Sequence, residues 1–439
     1  MKNWYETYFK DPKREPVLID YVRTPIGKRR GKVIRLRGDD LIVHCYRTLL
    51  ERNKFDRTLV DDSMVACCTQ IGECGMDIGR NAALAAGLPV KVPGMTINRH
   101  CASGSQAVLS AWQAIASGYC DCILAGGIEV QNRYPIMEDL KIFKEGKMIT
   151  VSPHKDIVRH PEIKASAEKY KQGIQTQISA ADLMGRIWQE KAGFTRERMR
   201  EELDRISLDS HKKACSNYDR RGKEIEPIWS PKLDENGEPI YDENGNVAQD
   251  SSTSELVEKD EGPRPTTSFE ILQKLKVLGS KRKGLLTAGN SCPTSDGAGA
   301  QLWMSRYLAE ELGFKPRASI VSSAVIGCDP ITMLEGPIHS MPIALKRAET
   351  TFDEMDFIEI NEAFSTVVFA CCHDLGIDWH DERFNVWGGA IALGHPTGFT
   401  GNRLIGTNLQ QLEQFNKTYA ISSMCVGFGM GQATIIKRE

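Results

Sequence analysis

The sequence predicts an α/β protein with a mostly parallel, buried sheet, made of two α/β halves around a polar insertion. Three observations predict it. Wholly apolar runs such as Cys122-Ile123-Leu124-Ala125-Gly126-Gly127 read as strands covered on both faces. Segments with helical apolar spacing alternate with these runs. A stretch from 131 to 261, rich in Lys, Arg and Glu, breaks the pattern, which resumes near Thr287. The chain has 439 residues, enough for two or three domains or one large duplicated core.

Taken in order, Pro16-Val17-Leu18-Ile19-Asp20 reads as a strand and Arg23-Thr24-Pro25-Ile26-Gly27 as the turn after it. Helices are predicted from Asp39 to about Glu51 and from Ile78 to Ala86, the second stopped by Gly87 and Pro89. Met95-Thr96-Ile97 is a short strand end. Ala107, Val108, Ala111, Trp112, Ile115 and Ala116 then share one helical face. Within the polar stretch, 180–215 reads as helix. Asp-Glu-Asn-Gly follows at 234–237 and again at 242–245. Its Asn-Gly pairs predict a surface hairpin, and the spacing lacks the full pattern of an EF-hand calcium loop. Ala318 to Ser323 and Phe357 to Ile360 read as strands, Phe364 to Leu375 as a helix, and 418–437 as strand, glycine-rich turn and strand.

Composition excludes several classes. Lys and Arg number 56 against 58 Asp and Glu, so no basic excess points to nucleic acid. Hydrophobic content of 41% and charged content of 26% are ordinary for a globular chain. No apolar run is long enough to span a bilayer. Met1 to Pro16 mixes acids, bases and aromatics, unlike a signal or transit peptide, and a cytoplasmic location is expected. The 13 cysteines are scattered and odd in number. Cys67-Cys68, Cys371-Cys372 and Cys120-x-Cys122 lack zinc-site spacing, so free thiols and no metal are expected.

Cys101 stands in Asn98-Arg99-His100-Cys101-Ala102-Ser103-Gly104-Ser105-Gln106-Ala107, at the mouth of a predicted helix. Unpaired N–H groups and the positive end of the helix dipole favour thiolate there, and thiolate is the nucleophilic form. By itself the segment fits a buried, inert cysteine equally well. Three further segments each set a reactive group among glycines or at a strand end: Asn361-Glu362-Ala363-Phe364-Ser365, Gly388-Gly389-Ala390-Ile391-Ala392-Leu393-Gly394-His395-Pro396, and Cys425-Val426-Gly427-Phe428-Gly429-Met430-Gly431. Alone, Asn361 reads as a cap, His395 as a core histidine and Cys425 as structural.

In this order, with Val22 to Gly27, Arg80-Asn81-Ala82-Ala83, Asp260-Glu261-Gly262-Pro263-Arg264, Thr287-Ala288-Gly289-Asn290, Asp296-Gly297-Ala298, Asp329-Pro330 and Gly336-Pro337, the segments resemble the thiolase family along most of the chain. The resemblance implies a five-layered αβαβα fold of two similar halves. The corresponding boundaries are 1–130 with 262–310 for the first half, 131–261 for an inserted loop domain, and 311–439 for the second half.

It also implies chemistry: CoA-dependent cleavage of a 3-ketoacyl-CoA to acetyl-CoA and a shortened acyl-CoA through a cysteine acyl-enzyme. Cys101 would be the nucleophile and Cys425 the acid/base. His395, with a water held by Asn361, would stabilise the thioester oxygen on the acetyl-CoA side, and His395 would also activate the thiols. Backbone N–H groups of Cys101 and Gly427 would form the other oxyanion hole. CoA enters as a substrate, and no cofactor is implied. Family members are usually homodimers or homotetramers, and some join β-oxidation complexes. Ser291, Cys292, Phe364 and Phe399 are candidates for substrate contact.

The chain departs from the family pattern around the pocket. Cys292 stands where a serine usually meets CoA. Glu129-Val130-Gln131-Asn132 replaces Glu-Ser-Met-Ser, Trp387 replaces an asparagine, and Thr397, Phe399 and Thr400 replace small residues. The pocket segment expected within 160–195 has no clear match, and a reshaped acyl pocket is the sharper reading of these changes. Two other readings stand beside cleavage: an acetoacetyl-CoA thiolase working in the condensing direction, and a non-catalytic acyl-CoA-binding subunit. The complete set Cys101, Asn361, His395 and Cys425 argues against the last.

Overall fold

Strand β1 (Pro16–Arg23) opens a computed structural model that describes residues 11–144, 146–151, 155–278 and 284–439. β2 (Gly27–Lys28), β3 (Asp62–Ala66), β4 (Met95–Ile97) and β5 (Cys122–Val130) follow. The polar stretch holds two small ladders, β6 (Lys141–Lys144) with β7 (Lys147–Thr150), and β8 (Ile228–Pro231) with β9 (Ser254–Val257). β10 (Ser295–Ser305), β11 (Ala318–Gly327), β12 (Phe357–Ile360), β13 (Tyr419–Val426) and β14 (Met430–Arg438) complete the set.

Ten of these strands form one sheet, in the order β12-β13-β14-β11-β1-β10-β5-β3-β4, with β2 beside β10. The expected mostly parallel sheet is corrected here. Among the described strands, β3 pairs in parallel with β4 and β5, and β12 with β13, while the other pairings are antiparallel. Apolar runs report burial on both faces, and burial does not specify strand direction. The antiparallel pairs arise where β13 turns back tightly into β14, and where the chain returns through β10 after its long excursion.

The order encodes a duplication. The first half reads β4-β3-β5-β10-β1, and the second repeats it as β12-β13-β14-β11 with the same directions. At the place matching β4, a single parallel bridge joins Ile358 to Phe384. The halves meet where Val17 and Leu18 pair with Ser319 and Ala318.

Equivalent helices precede β5 and β13: Ser103–Ala116 and Thr397–Gln414. They pack against each other at backbone distance. A Cβ on Gly104 would lie 2.6 Å from the Asn402 nitrogen, and one on Gly401 would lie 2.4 Å from that of Ser105, so only glycine fits. These helices form the central layer, packed with Leu18, Ile123, Trp303 and Ile436 from both halves of the sheet. The Gly38–Arg52 and Ile78–Ala85 helices cover the outer face of the first half. Gly336–Arg347 and Ser365–Leu375 cover that of the second. The result is the five-layered α/β fold that the family resemblance implies.

The predicted helix over 180–215 is two helices, Gln177–Lys191 and Arg196–Ser216, parted at Gly193 (φ 65°) and restarted by Thr195, whose hydroxyl caps the Arg198 N–H. Each Asp-Glu-Asn-Gly forms its own turn. Asp234 Oδ1 accepts from the Asn236 and Glu238 N–H groups, and Asp242 Oδ1 from those of Asn244 and Asn246. Both turns lie at the tip of the β8–β9 ladder. A buried clamp ties the insertion to the core: Asp260 accepts from Arg23 at 2.6 and 2.9 Å, from Arg221 at 2.9 Å and from the Ile26 N–H.

Candidate active site

The duplication places the candidate residues. Cys101 and His395 stand at equivalent points, each just before one of the two central helices. Asn361 follows β12, the counterpart of β3, and Cys425 lies near the end of β13. Asn361 thereby meets His395, and Cys101 lies near Cys425.

His100 precedes Cys101 with φ 46°, a left-handed conformation that costs a non-glycine residue about 1–2 kcal/mol. The turn sends Cys101 inward, where it is 4% exposed. Its sulfur receives the backbone N–H of Gly427, its own N–H, and the Gln177 Nε2–H at 3.9 Å. These donors favour thiolate, but burial outweighs them and pushes the thiol up to about 11. The expectation that the helix start would make a ready thiolate is thus corrected for the resting pocket. Cys101 needs a base.

His395 is the candidate. Gly394, with φ 110°, makes the turn that presents it. The Thr400 hydroxyl donates to Pro396 O at 2.9 Å, so its lone pair accepts the His395 Nδ1–H at 2.7 Å. With Nδ1 protonated, Nε2 carries the lone pair and accepts from the Asn361 amide N–H at 3.4 Å. Burial, with the nearby Arg403 guanidinium, lowers the imidazole to about 3 and keeps it neutral. Asn361 Oδ1 is buried without a hydrogen-bond partner among the described residues.

Cys425 is 1% exposed, and burial, with the thiols of Cys101, Cys292 and Cys328 near it, holds its proton firmly. Such a thiol is a proton donor rather than a standing nucleophile. Cys68 links the two sides of the site. Its thiol donates to His100 O at 3.0 Å, lies near Cys101, and bonds with Thr397, two residues past His395.

The four substrate-contact candidates divide. Cys292 lies beside Cys101, its thiol pushed up by burial to about 12. The Ser291 hydroxyl is committed to Thr287 O at 2.8 Å, and a backbone bridge joins Ser291 to Phe364. Phe364 is buried in the same apolar cluster as Cys425. Phe399 is fully buried with Ile26, Ala392 and Leu393, its ring filling the space left by Gly299. The Ser291 hydroxyl thus donates within the protein, and the Phe399 ring sits in the core. Sequence reasoning missed Gln177, which lies in the stretch without a match. It marked Thr400 as a departure without its bond to His395, because nothing in the motif says which hydroxyl faces the imidazole.

A cysteine with two backbone N–H groups at its sulfur, a neutral imidazole and a second protonated thiol are the groups that thiol-dependent acyl transfer calls for. The chain belongs to the thiolase family: residues 16–307 match the thiolase N-terminal domain and 314–438 the thiolase C-terminal domain. It is an acyltransferase of that family. It is 36% identical to β-ketoadipyl-CoA thiolase of Acinetobacter baylyi over 429 residues, 96% of this chain and 98% of that one. It is 36% identical to 3-ketoacyl-CoA thiolase of Alcanivorax borkumensis over 430 residues, 97% and 98% of the two chains. The structure of human mitochondrial 3-ketoacyl-CoA thiolase in complex with CoA superposes with a TM-score of 0.80 at 29% identity, covering 97% of this chain and 98% of that one. No helix among the described residues is long and apolar enough to cross a membrane.

Proposed function

We propose that the protein is a degradative 3-ketoacyl-CoA thiolase, joining CoA to the acyl part of a 3-ketoacyl-CoA and releasing acetyl-CoA. One observation carries this reading: the Cys101 sulfur, held by the Gly427 N–H, lies near the protonated Cys425 thiol. Cleaving a carbon–carbon bond beside a ketone needs both a nucleophile and an acid for the departing carbanion.

His395 Nε2 takes the Cys101 proton, and the thiolate attacks the ketone carbon. The backbone N–H groups of Cys101 and Gly427 stabilise the alkoxide, a contribution of about 10²–10³ in rate per donor. The C2–C3 bond then breaks. Its electrons pass into the acetyl-CoA enolate, whose carbon takes the Cys425 proton. His395 and Asn361 stabilise the enolate oxygen, and the imidazolium proton resets Cys425. CoA then gives its thiol proton to His395 and attacks the Cys101 thioester, and the departing Cys101 sulfur recovers that proton.

A place in β-oxidation fits this chemistry, as do the names carried by the relatives. Binding of CoA and acyl-CoA follows from the same reading, as does assembly into a homodimer or homotetramer. The test is incubation with a panel of 3-ketoacyl-CoAs followed by mass spectrometry. An acyl group on Cys101, removed by free CoA, is expected. Absence of an adduct across the panel would sink the reading.

A further inference from the structure

Gln177 opens the Gln177–Lys191 helix, where Thr176 caps the Ser179 N–H. Its half-buried carboxamide lies 3.9 Å from the Cys101 sulfur. On its other side is Gly427. A Cβ there would stand 3.6 Å from Gln177 Nε2 and 3.6 Å from the His100 ring. His100 is held in turn against Phe428, with ring centroids 5.5 Å apart. An amide and an imidazole thus flank one point beside the nucleophile, next to the N–H that faces the same sulfur.

Every acyl group carried by Cys101 is bonded to that sulfur, so its first carbons lie beside this pair. Acylation also removes the amide's acceptor, because a thioester sulfur is a poorer acceptor than a thiol or thiolate. A plain aliphatic chain would strip water from the carboxamide and return nothing, at a cost of about 1–3 kcal/mol. A chain ending in oxygen a few carbons from the thioester would satisfy it. Sites built to hydrogen-bond a substrate group discriminate strongly against the analogue that lacks it.

We propose that Gln177, with His100 beside it, recognises the oxygen-bearing end of a short acyl chain, so that the preferred 3-ketoacyl-CoA carries an ω-carboxylate. This rests on the thiolase reading above and names the substrate class of the same site. Gln177 is a specificity residue here, while the bond-making groups remain those already described.

The test compares 3-ketoadipyl-CoA with 3-ketohexanoyl-CoA, which have the same chain length and differ only in the terminal carboxylate. The wild-type protein is expected to favour the first in kcat/KM by about tenfold or more. Gln177→Leu should collapse that ratio, and Gln177→Glu should lower it further by setting like charges together. Mass spectrometry of the wild-type acyl-enzyme after competition between the two substrates reads the same preference without any variant. Equal use of both substrates, preference for 3-ketohexanoyl-CoA, or equal loss on both in Gln177→Leu would overturn the proposal, the last by making Gln177 a further oxyanion donor. Those outcomes leave the thiolase reading standing. Failure of both substrates to acylate Cys101 in the wild-type protein would overturn the two together.

Discussion

Thr400 sets the tautomer of His395. Because the threonine hydroxyl donates to Pro396 O, it can only accept from the imidazole Nδ1, and the basic lone pair is left on Nε2 facing Asn361. A buried histidine without such a partner would divide between tautomers, and one of them could not take the thiol proton. Thr400→Val should therefore lower kcat by about 10- to 100-fold, the scale set by removing a group that orients a reactive imidazole. Thr400→Ser should restore most of it, since the hydroxyl returns. Equal activity in the two variants would show the bond to be ornamental.

Cys101→Ala should form no acyl adduct while keeping the fold. The side chain is small, and the backbone turn at His100 does not depend on the sulfur. Intact-mass analysis after incubation with a 3-ketoacyl-CoA reads the first point, and near-ultraviolet circular dichroism the second. An adduct on the variant would move the nucleophile elsewhere, with Cys68, Cys292 and Cys425 the neighbouring thiols.

Cys425→Ala separates the two half-reactions. Carbon–carbon cleavage should fall by about 10²–10⁴, the usual contribution of a positioned acid. Transfer of an acyl group already on Cys101 to free CoA should fall much less, because no carbanion forms there. Single-turnover measurements of each half-reaction make the comparison, and an unchanged cleavage rate would remove Cys425 from the acid role.

The resting nucleophile should behave as a neutral thiol beside a neutral imidazole. Cys101 is pushed up to about 11 by burial, and His395 is lowered to about 3 by burial and Arg403. Neither group changes charge near neutrality. Alkylation of Cys101 by iodoacetamide should therefore rise about tenfold per pH unit from pH 6 to 9, as the thiolate fraction does below a thiol's pKa. A flat profile over that range would mean that a thiolate–imidazolium pair exists before substrate binds.

The Asp260 clamp carries stability. Burial would raise this carboxyl, but Arg23 and Arg221 hold it well below the ordinary carboxylate value. Its contribution is present above the unfolded pKa of about 3.9 and is lost as pH falls through the folded value. Asp260→Asn leaves the buried Arg221 without its carboxylate and Arg23 with Glu224 alone, and should cost about 3–5 kcal/mol, read as a lowered urea midpoint at pH 7. The deficit relative to wild type should shrink at pH values below the unfolded pKa, where the native carboxylate loses its advantage.

Much of this molecule could be read directly from the chain. Apolar runs located the strands at Pro16, Cys122, Ala318 and Phe357, and the helical spacing after Cys101 located a central helix, because burial leaves its period in the residues that are buried. The identity and order of Cys101, Asn361, His395 and Cys425 were also legible, since chemistry demands those residue types. Three-dimensional packing decided the rest. The direction of β10 and the retreat of Phe399 into the core depend on partners far away in the chain, whereas the Ser291 hydroxyl turns to Thr287 O, four residues back. The proton on Cys101 is set by burial, and the lone pair on His395 by the hydroxyl of Thr400, five residues on, whose facing no residue pattern announces. Gln177 reaches the nucleophile only because the insertion folds back over the second half.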